Sequence, residues 1–282
     1  MPELPDLEIL KEALKSRILG REVVSARALR PGINKTTTPL LDELSGRAFT
    51  DVSRRGKYLV ISLRPTLHLV VHLMLAGRFV LCKSKTQITK ATGLQITFSD
   101  GEDLRLIENG SIKLVKVHLV SDPLEVSGIA SAGAEPLSSG FTLQALSEMA
   151  HGRRCHAKKL LTDQRMIAGI GSAYADEILF AARISPVRYV STLLGDELER
   201  LHYSIVGVLS EAIDEIRSRI GNSLFTDDIR DFLKVYRRTG EPCPVCGTKI
   251  AEIRYANTRT YYCPVCQAGG KALPDRRSWL TR

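Results

Sequence analysis

The stretch CPVCGTKIAEIRYANTRTYYCPVC, residues 243–266, decides how the last part of the chain must fold. Cys243, Cys246, Cys263 and Cys266 stand in two C-x2-C pairs separated by sixteen residues. Each C-x2-C turn aims two thiolates at one tetrahedral ion, and the residues between have the length of a hairpin that brings the pairs together. So short a segment cannot fold on apolar burial alone, so a metal would supply its stability. Two disulfides or a redox pair are the alternative; in a chain expected inside the cell, one structural Zn2+ is favoured.

Working outward, the block from Cys243 to Arg282 holds seven basic and two acidic residues, over half of the chain's net charge of +9. Arg254, Arg259 and the pair Tyr261–Tyr262 read either as a solvated basic surface with packing tyrosines or as a phosphate-tracking finger. Upstream, DQRMIAGIGSAYADEILFAARISP (163–186) interrupts one helical pattern at Gly169 and Gly171. Ser172 is placed to cap the next helix, which ends before Pro186. A tight glycine turn entering a helix exposes backbone N–H groups to a phosphate, or is an ordinary corner between helices.

Residues 5–18 predict a helix with Pro5, Asp6 and Glu8 in its first turn and a stripe of Leu7, Leu10, Leu14 and Ile18. From about 22 to 120 the period is two, in KYLVISL, HLVVHLML, RFVLC, LQITF and LRLIE, which predicts a β-sandwich. The class is therefore mixed α/β and multi-domain. An N-terminal β domain is expected over 1–127, a linker over 128–142, a helical domain over 143–239, and a four-cysteine hairpin with a basic tail over 240–282. Cys82 and Cys155 are isolated and read as buried small residues. With 44% hydrophobic and 25% charged residues, no apolar run of membrane-spanning length and no signal-peptide pattern, the expectation is an intracellular protein with a real core.

MPELPDLE (1–8), RRGKYLVISL (54–63), EPLS (135–138), IAGIGSAYADEIL (167–179) and the four-cysteine hairpin together resemble the formamidopyrimidine-DNA glycosylase / endonuclease VIII family. The resemblance spans essentially the whole chain. It implies a helix-flanked β-sandwich followed by a helix–two-turn–helix domain with a zinc hairpin, and damaged double-stranded DNA as partner. It implies flipping and excision of an oxidised or ring-opened base, then β- or β,δ-elimination at the abasic site. It also implies a monomer acting in the cytoplasm, on the nucleoid in a bacterium, without a membrane.

By the same resemblance Pro2, exposed once Met1 is removed, is the nucleophile. An α-amino group titrates near ~7.7–8, so part of it is neutral at pH 7, and a secondary amine on the sugar gives an iminium electron sink. Glu3 matches the general acid/base, Lys57 the lysine of the catalytic domain, and Asp6 stands where a second glutamate is usual. Lys158, Tyr236, His72, Gly171 and Ser172 fall at DNA-contacting positions.

The departures lie at lesion reading. Leu75 takes the place of a void-filling methionine, and Gly110 and Ile112 those of an arginine and a phenylalanine. Ser172 replaces an asparagine. Thr258 takes the position of the hairpin arginine, so that Arg259, one residue on, is expected on the other face. The resulting expectation is abasic-site cleavage retained and weak discrimination by the opposite base. The rivals are a preference for oxidised pyrimidines, a non-catalytic binder of damaged DNA, and a zinc-hairpin regulator.

Overall fold

A computed structural model describes residues 1–64, 66–221, 223–224, 229–255 and 258–274, with Tyr255 and Thr258 described in their backbone alone. The basic tail 275–282 and the side chain of Thr258 lie outside the described residues. The chain divides into two compact units, Met1–Ser131 with Ile213–Asp228, and Ala132–Ala212 with Ile229–Arg282.

The first unit opens with α1 (Leu4–Ile18). Pro5 fits its first turn, where a missing N–H costs nothing. Eight strands follow: β1 (Val23–Ala28), β2 (Phe49–Arg55), β3 (Tyr58–Leu63), β4 (Leu67–His72), β5 (Gly77–Lys83), β6 (Thr92–Phe98), β7 (Glu102–Glu108) and β8 (Lys116–Val120). They form two four-stranded sheets, ordered β1-β6-β7-β5 and β2-β3-β4-β8, with every pair antiparallel. Phe79, Ile96 and Leu104 of one sheet and Val52, Ile61 and Val71 of the other share one apolar core, the sandwich expected from the period of two. The α1 stripe Leu7, Leu10, Leu14 and Ile18 enters that same core. Sequence patterning passed over β1, β2 and β8. β2 reads FTDVSRR, too polar to announce itself, yet Phe49 and Val52 are fully buried.

The second unit follows α2 (Ser127–Ala130) and contains α3 (Leu143–Ala150), α4 (Ala157–Thr162), α5 (Ser172–Ala181) and most of α6 (Gly195–Ile220). The antiparallel hairpin β9 (Ala251–Tyr255) and β10 (Thr258–Tyr262) comes next, then α7 (Pro264–Ala268). The residues expected as a linker are partly built in: Ala134 pairs with Ile167, and a Cβ on Gly133 would stand 2.3 Å from the Met166 carbonyl oxygen. The hairpin shares an apolar cluster of Cys243, Ile250, Tyr261 and Cys263 with Phe180 of α5 and with Val235. Cys82 and Cys155 are only half-buried, which corrects the reading of both as core residues.

Candidate active site and metal centre

In the first unit, the start of α1 is built by a carboxylate. Asp6, fully buried, accepts the backbone N–H of Glu3 at 2.8 Å, so the residue that departs from the family pattern fixes the turn holding Pro2 and Glu3. One turn on, Glu8 ion-pairs with Arg54 at 2.6 Å and with Lys11. Burial alone would raise the Glu8 carboxyl; the Arg54 guanidinium and Lys11 outweigh it and hold the group below the usual glutamate range. Arg54 also donates to the Gly56 carbonyl at 3.0 Å. Gly56 and Lys57 form the two-residue connection between β2 and β3, and Gly56 takes the left-handed conformation (φ +56°) such a turn needs. Arg54 thus ties the helix carrying Pro2 and Glu3 to the hairpin carrying buried Lys57.

His72, at the end of β4, stacks edge-on against Tyr58 with ring centroids 4.7 Å apart. Its Nδ1 accepts the N–H of Met74 at 3.0 Å, so the ring is neutral at that nitrogen. Burial, then the charges of Lys57 and Lys116, push its pKa down to about 4. Met74 sits at φ +53°, a conformation costly for a residue with a side chain. The bond from His72 holds this turn, and the turn presents Leu75, 59% exposed.

Ile112, 70% exposed, crowns the neighbouring loop between β7 and β8. The base of that loop is held by Glu108, a residue the sequence reading did not single out. Its buried carboxylate accepts the N–H of Leu114 at 2.8 Å and of Val115 at 3.2 Å, and pairs with Arg30 at 2.7 Å. The two loops adjoin: a Cβ on Gly110 would lie 3.5 Å from Ala76 Cβ.

In the second unit, Gly171 rather than Ser172 occupies the cap position of α5, which corrects the sequence expectation; Ser172 is the first helical residue. A glycine cap leaves no side-chain signal, and the serine next to it took its place in the reading. α5 then carries two buried acids on an otherwise apolar helix. Glu177 accepts the backbone N–H groups of Lys234, Val235 and Tyr236, each at 2.8 Å. Burial raises its carboxyl, with those three bonds pulling the other way. Asp176 pairs with Lys158 of α4 at 2.7 Å and accepts the Tyr261 N–H of β10 at 3.1 Å. Neither acid was singled out in the sequence, since their partners lie far along the chain.

An open cleft of about 720 Å³ is lined by Ser172, Tyr236, Arg237, Thr239, Glu252, Arg259 and Tyr261. The structure therefore brings Ser172, Tyr236 and Arg259 together, and Arg259 faces the cleft despite its one-residue offset. The Tyr236 and Tyr261 rings meet edge-on at 5.3 Å, and the Arg237 guanidinium lies 5.3 Å from the centre of the Tyr236 ring. Lys158, expected at phosphate, lies among Asp176, the Arg259 carbonyl and Thr260 Oγ1.

The four thiol sulfurs of Cys243, Cys246, Cys263 and Cys266 lie within 4.8 Å of one another. Cys246 and Cys263 are 3.4 Å apart, and Cys243 and Cys266 3.9 Å. Tetrahedral thiolates at ~2.3 Å from zinc stand about 3.8 Å apart, whereas a disulfide needs ~2.05 Å. Backbone N–H groups of Val245 and Cys266 point at Cys243 and Cys263 sulfurs, as in a thiolate turn. The four residues fit one structural zinc ion.

A sandwich flanked by a proline-headed helix, a glycine turn entering a buried helix, and a zinc hairpin define a helix–two-turn–helix DNA-repair enzyme. Residues 1–109 match the formamidopyrimidine-DNA glycosylase N-terminal domain, 132–223 the H2TH domain of that enzyme, and 240–269 the zinc finger found in FPG and IleRS. The chain belongs to the formamidopyrimidine-DNA glycosylase family. The formamidopyrimidine-DNA glycosylase of Symbiobacterium thermophilum is 38% identical over 99% of this chain and 93% of its own. That of Pelotomaculum thermopropionicum is 36% identical over 95% and 99%. The Lactococcus lactis Fpg in complex with abasic-site DNA superposes with a TM-score of 0.86 at 30% identity, covering 94% of this chain and 99% of that one.

Proposed function

We propose that this protein is a base-excision DNA glycosylase with abasic-site lyase activity, using the amine of Pro2 as nucleophile and Glu3 as proton shuttle. The observation that carries the reading is the construction of the α1 start: Asp6 fixes Glu3, and Glu8–Arg54 fixes the helix to the Lys57 hairpin. In the reaction the neutral Pro2 nitrogen attacks the sugar C1′, and the base departs with a proton delivered by an acid. The nitrogen gives up its proton, the C1′–O4′ bond breaks as Glu3 protonates O4′, and the iminium so formed acidifies the C2′ proton, whose removal expels the 3′ phosphate. Zinc, held by the four cysteines, supplies structure to the hairpin and takes no part in these steps.

In this reading the cleft of Ser172, Tyr236 and Arg259 holds DNA backbone, with Gly171 at the helix entrance, while Leu75 and Ile112 fill space left by an extruded base. The protein acts as a monomer on damaged duplex DNA in the cytoplasm. The names of the relatives and the Lactococcus lactis Fpg complex with abasic-site DNA support the reading of a DNA glycosylase acting on damaged DNA.

Borohydride reduction during reaction with an abasic-site duplex tests the chemistry. A covalent protein–DNA adduct is expected, and an uncleaved N-terminal extension, which locks Pro2 in a peptide bond, should abolish it. An adduct that survives the extension, or none with the native protein, overturns the assignment. Gly110 favours a second reading at the level of substrate: with no arginine there to pair with an orphaned base, the protein accepts oxidised pyrimidines as well as oxidised purines. The Lactococcus lactis Fpg has been seen with an oxidised-pyrimidine-containing DNA. Equal excision rates opposite cytosine and adenine are expected, and a strong cytosine preference sinks the second reading.

A further inference from the structure

Strand β10 is gripped at three consecutive residues by groups from two helices. Lys158 Nζ donates to the Arg259 carbonyl at 2.9 Å and to Thr260 Oγ1 at 2.9 Å, and Asp176 accepts the Tyr261 N–H at 3.1 Å. The two grips are joined by the Lys158–Asp176 pair itself, at 2.7 Å. Ser172 Oγ also reaches the Arg259 carbonyl, at 3.4 Å. Lys158 Nζ thus donates to one carbonyl and one hydroxyl of β10, with the Asp176 carboxylate 2.7 Å away as its ion-pair partner. The Asp176 side chain is fully buried and that of Lys158 is 11% exposed.

We propose that Asp176 and Lys158 form an internal positioning pair that fixes strand β10 so that Arg259 faces the cleft, and that Lys158 serves the protein rather than DNA phosphate. The inference rests on the reading of the cleft as a DNA-backbone site. It explains how an arginine one residue out of the family register still lines that cleft, because the backbone on its C-terminal side is clamped at 259, 260 and 261. Burial holds the Asp176 carboxyl up at about 7 even with Lys158 beside it. Removing Lys158 would leave that buried carboxyl without the cation that offsets its burial.

The test measures affinity of the zinc-loaded full chain for a duplex containing a tetrahydrofuran abasic analogue, across a salt series. Asp176→Asn and Lys158→Met should each weaken binding about tenfold, the scale of one lost charge-assisted grip. The double variant should be no weaker than the weaker single. In an Arg259→Ala background, Asp176→Asn should add nothing, because both act through Arg259. Full affinity in Asp176→Asn, with a salt slope in Lys158→Met lower by about one counter-ion, makes Lys158 a phosphate ligand and overturns the proposal. An undiminished further loss in the Arg259→Ala background reduces the pair to general stability and overturns it too. Thr260→Val, nearly isosteric, removes only the hydroxyl grip; with zinc content and unfolding midpoint unchanged it should weaken binding a few-fold, and wild-type affinity counts against the clamp. Wild-type affinity in Arg259→Ala alone overturns the cleft reading itself, a failure distinct from that of the pair.

Discussion

Arg54 joins the helix that carries the proposed reagent to the β2–β3 hairpin. It holds Glu8 and the Gly56 carbonyl together from a nearly buried position. Arg54→Met removes the partner of a mostly buried carboxylate and should cost about 3 kcal/mol of stability. Adduct formation should fall further than the unfolding midpoint predicts, because Lys57 loses its register; denaturant unfolding beside single-turnover trapping separates the two effects. His72 makes a second prediction. Its pKa in the fold is about 4, while an imidazole in the unfolded chain titrates near ~6.5. Between those values the unfolded chain binds the proton and the folded chain does not. Stability is therefore lost as pH falls below about 6.5, and this loss levels off near 4, with about 2 kcal/mol gone by pH 5. His72→Gln should flatten that part of the pH–stability curve, which thermal melts between pH 5 and 7.5 will record.

At the level of elements, the loops carrying Leu75 and Ile112 are set by groups at their bases, His72 and Glu108. A side chain at position 110 has room: its Cβ would lie 3.4 Å from the Ile112 carbonyl oxygen and 3.5 Å from Ala76 Cβ. Gly110→Arg should therefore fold with an unfolding midpoint within a degree or two of the parent. It should raise the cytosine-over-adenine excision ratio; an unchanged ratio means the loop does not read the opposite base. Glu108→Gln keeps size but weakens the grip on Leu114 and Val115, and should loosen the loop without unfolding the sandwich, as hydrogen exchange at 109–115 would report. These elements also show what a sequence conveys. The α1 stripe was legible because a helix repeats its apolar face every three or four residues. Asp176, Glu177 and Glu108 were not, because burial of an acid is decided by its partners. Those of Glu177 lie nearly sixty residues further on, and Tyr261, bound by Asp176, lies eighty-five residues on.

Across the whole molecule, the two units differ in how they are stabilised. In the first, a large apolar core is shared by both sheets and α1, with a smaller cluster of Val60, Val70, Val120, Val126 and Ile129 beside it. In the second, the hairpin end rests on a small cluster around Phe180 and on four thiols. The cysteine spacing made the metal legible at once, since ligand geometry is written in local sequence. The cleft beside it was only half legible, since the way Arg259 faces depends on helices far earlier in the chain. Chelation of zinc should unfold the hairpin and abolish tight DNA binding, with one equivalent of metal released per chain; a fully retained affinity after verified metal loss would show that the hairpin does not bind. All four ligands fall within Cys243–Cys266, so the ion closes a short loop, and its loss need disorder little beyond that loop. The chemistry proposed for α1 draws on none of those residues. On that proposal a metal-stripped molecule is a catalyst without a hand: still able to condense with an aldehydic sugar offered at high concentration, yet unable to find one within a chromosome.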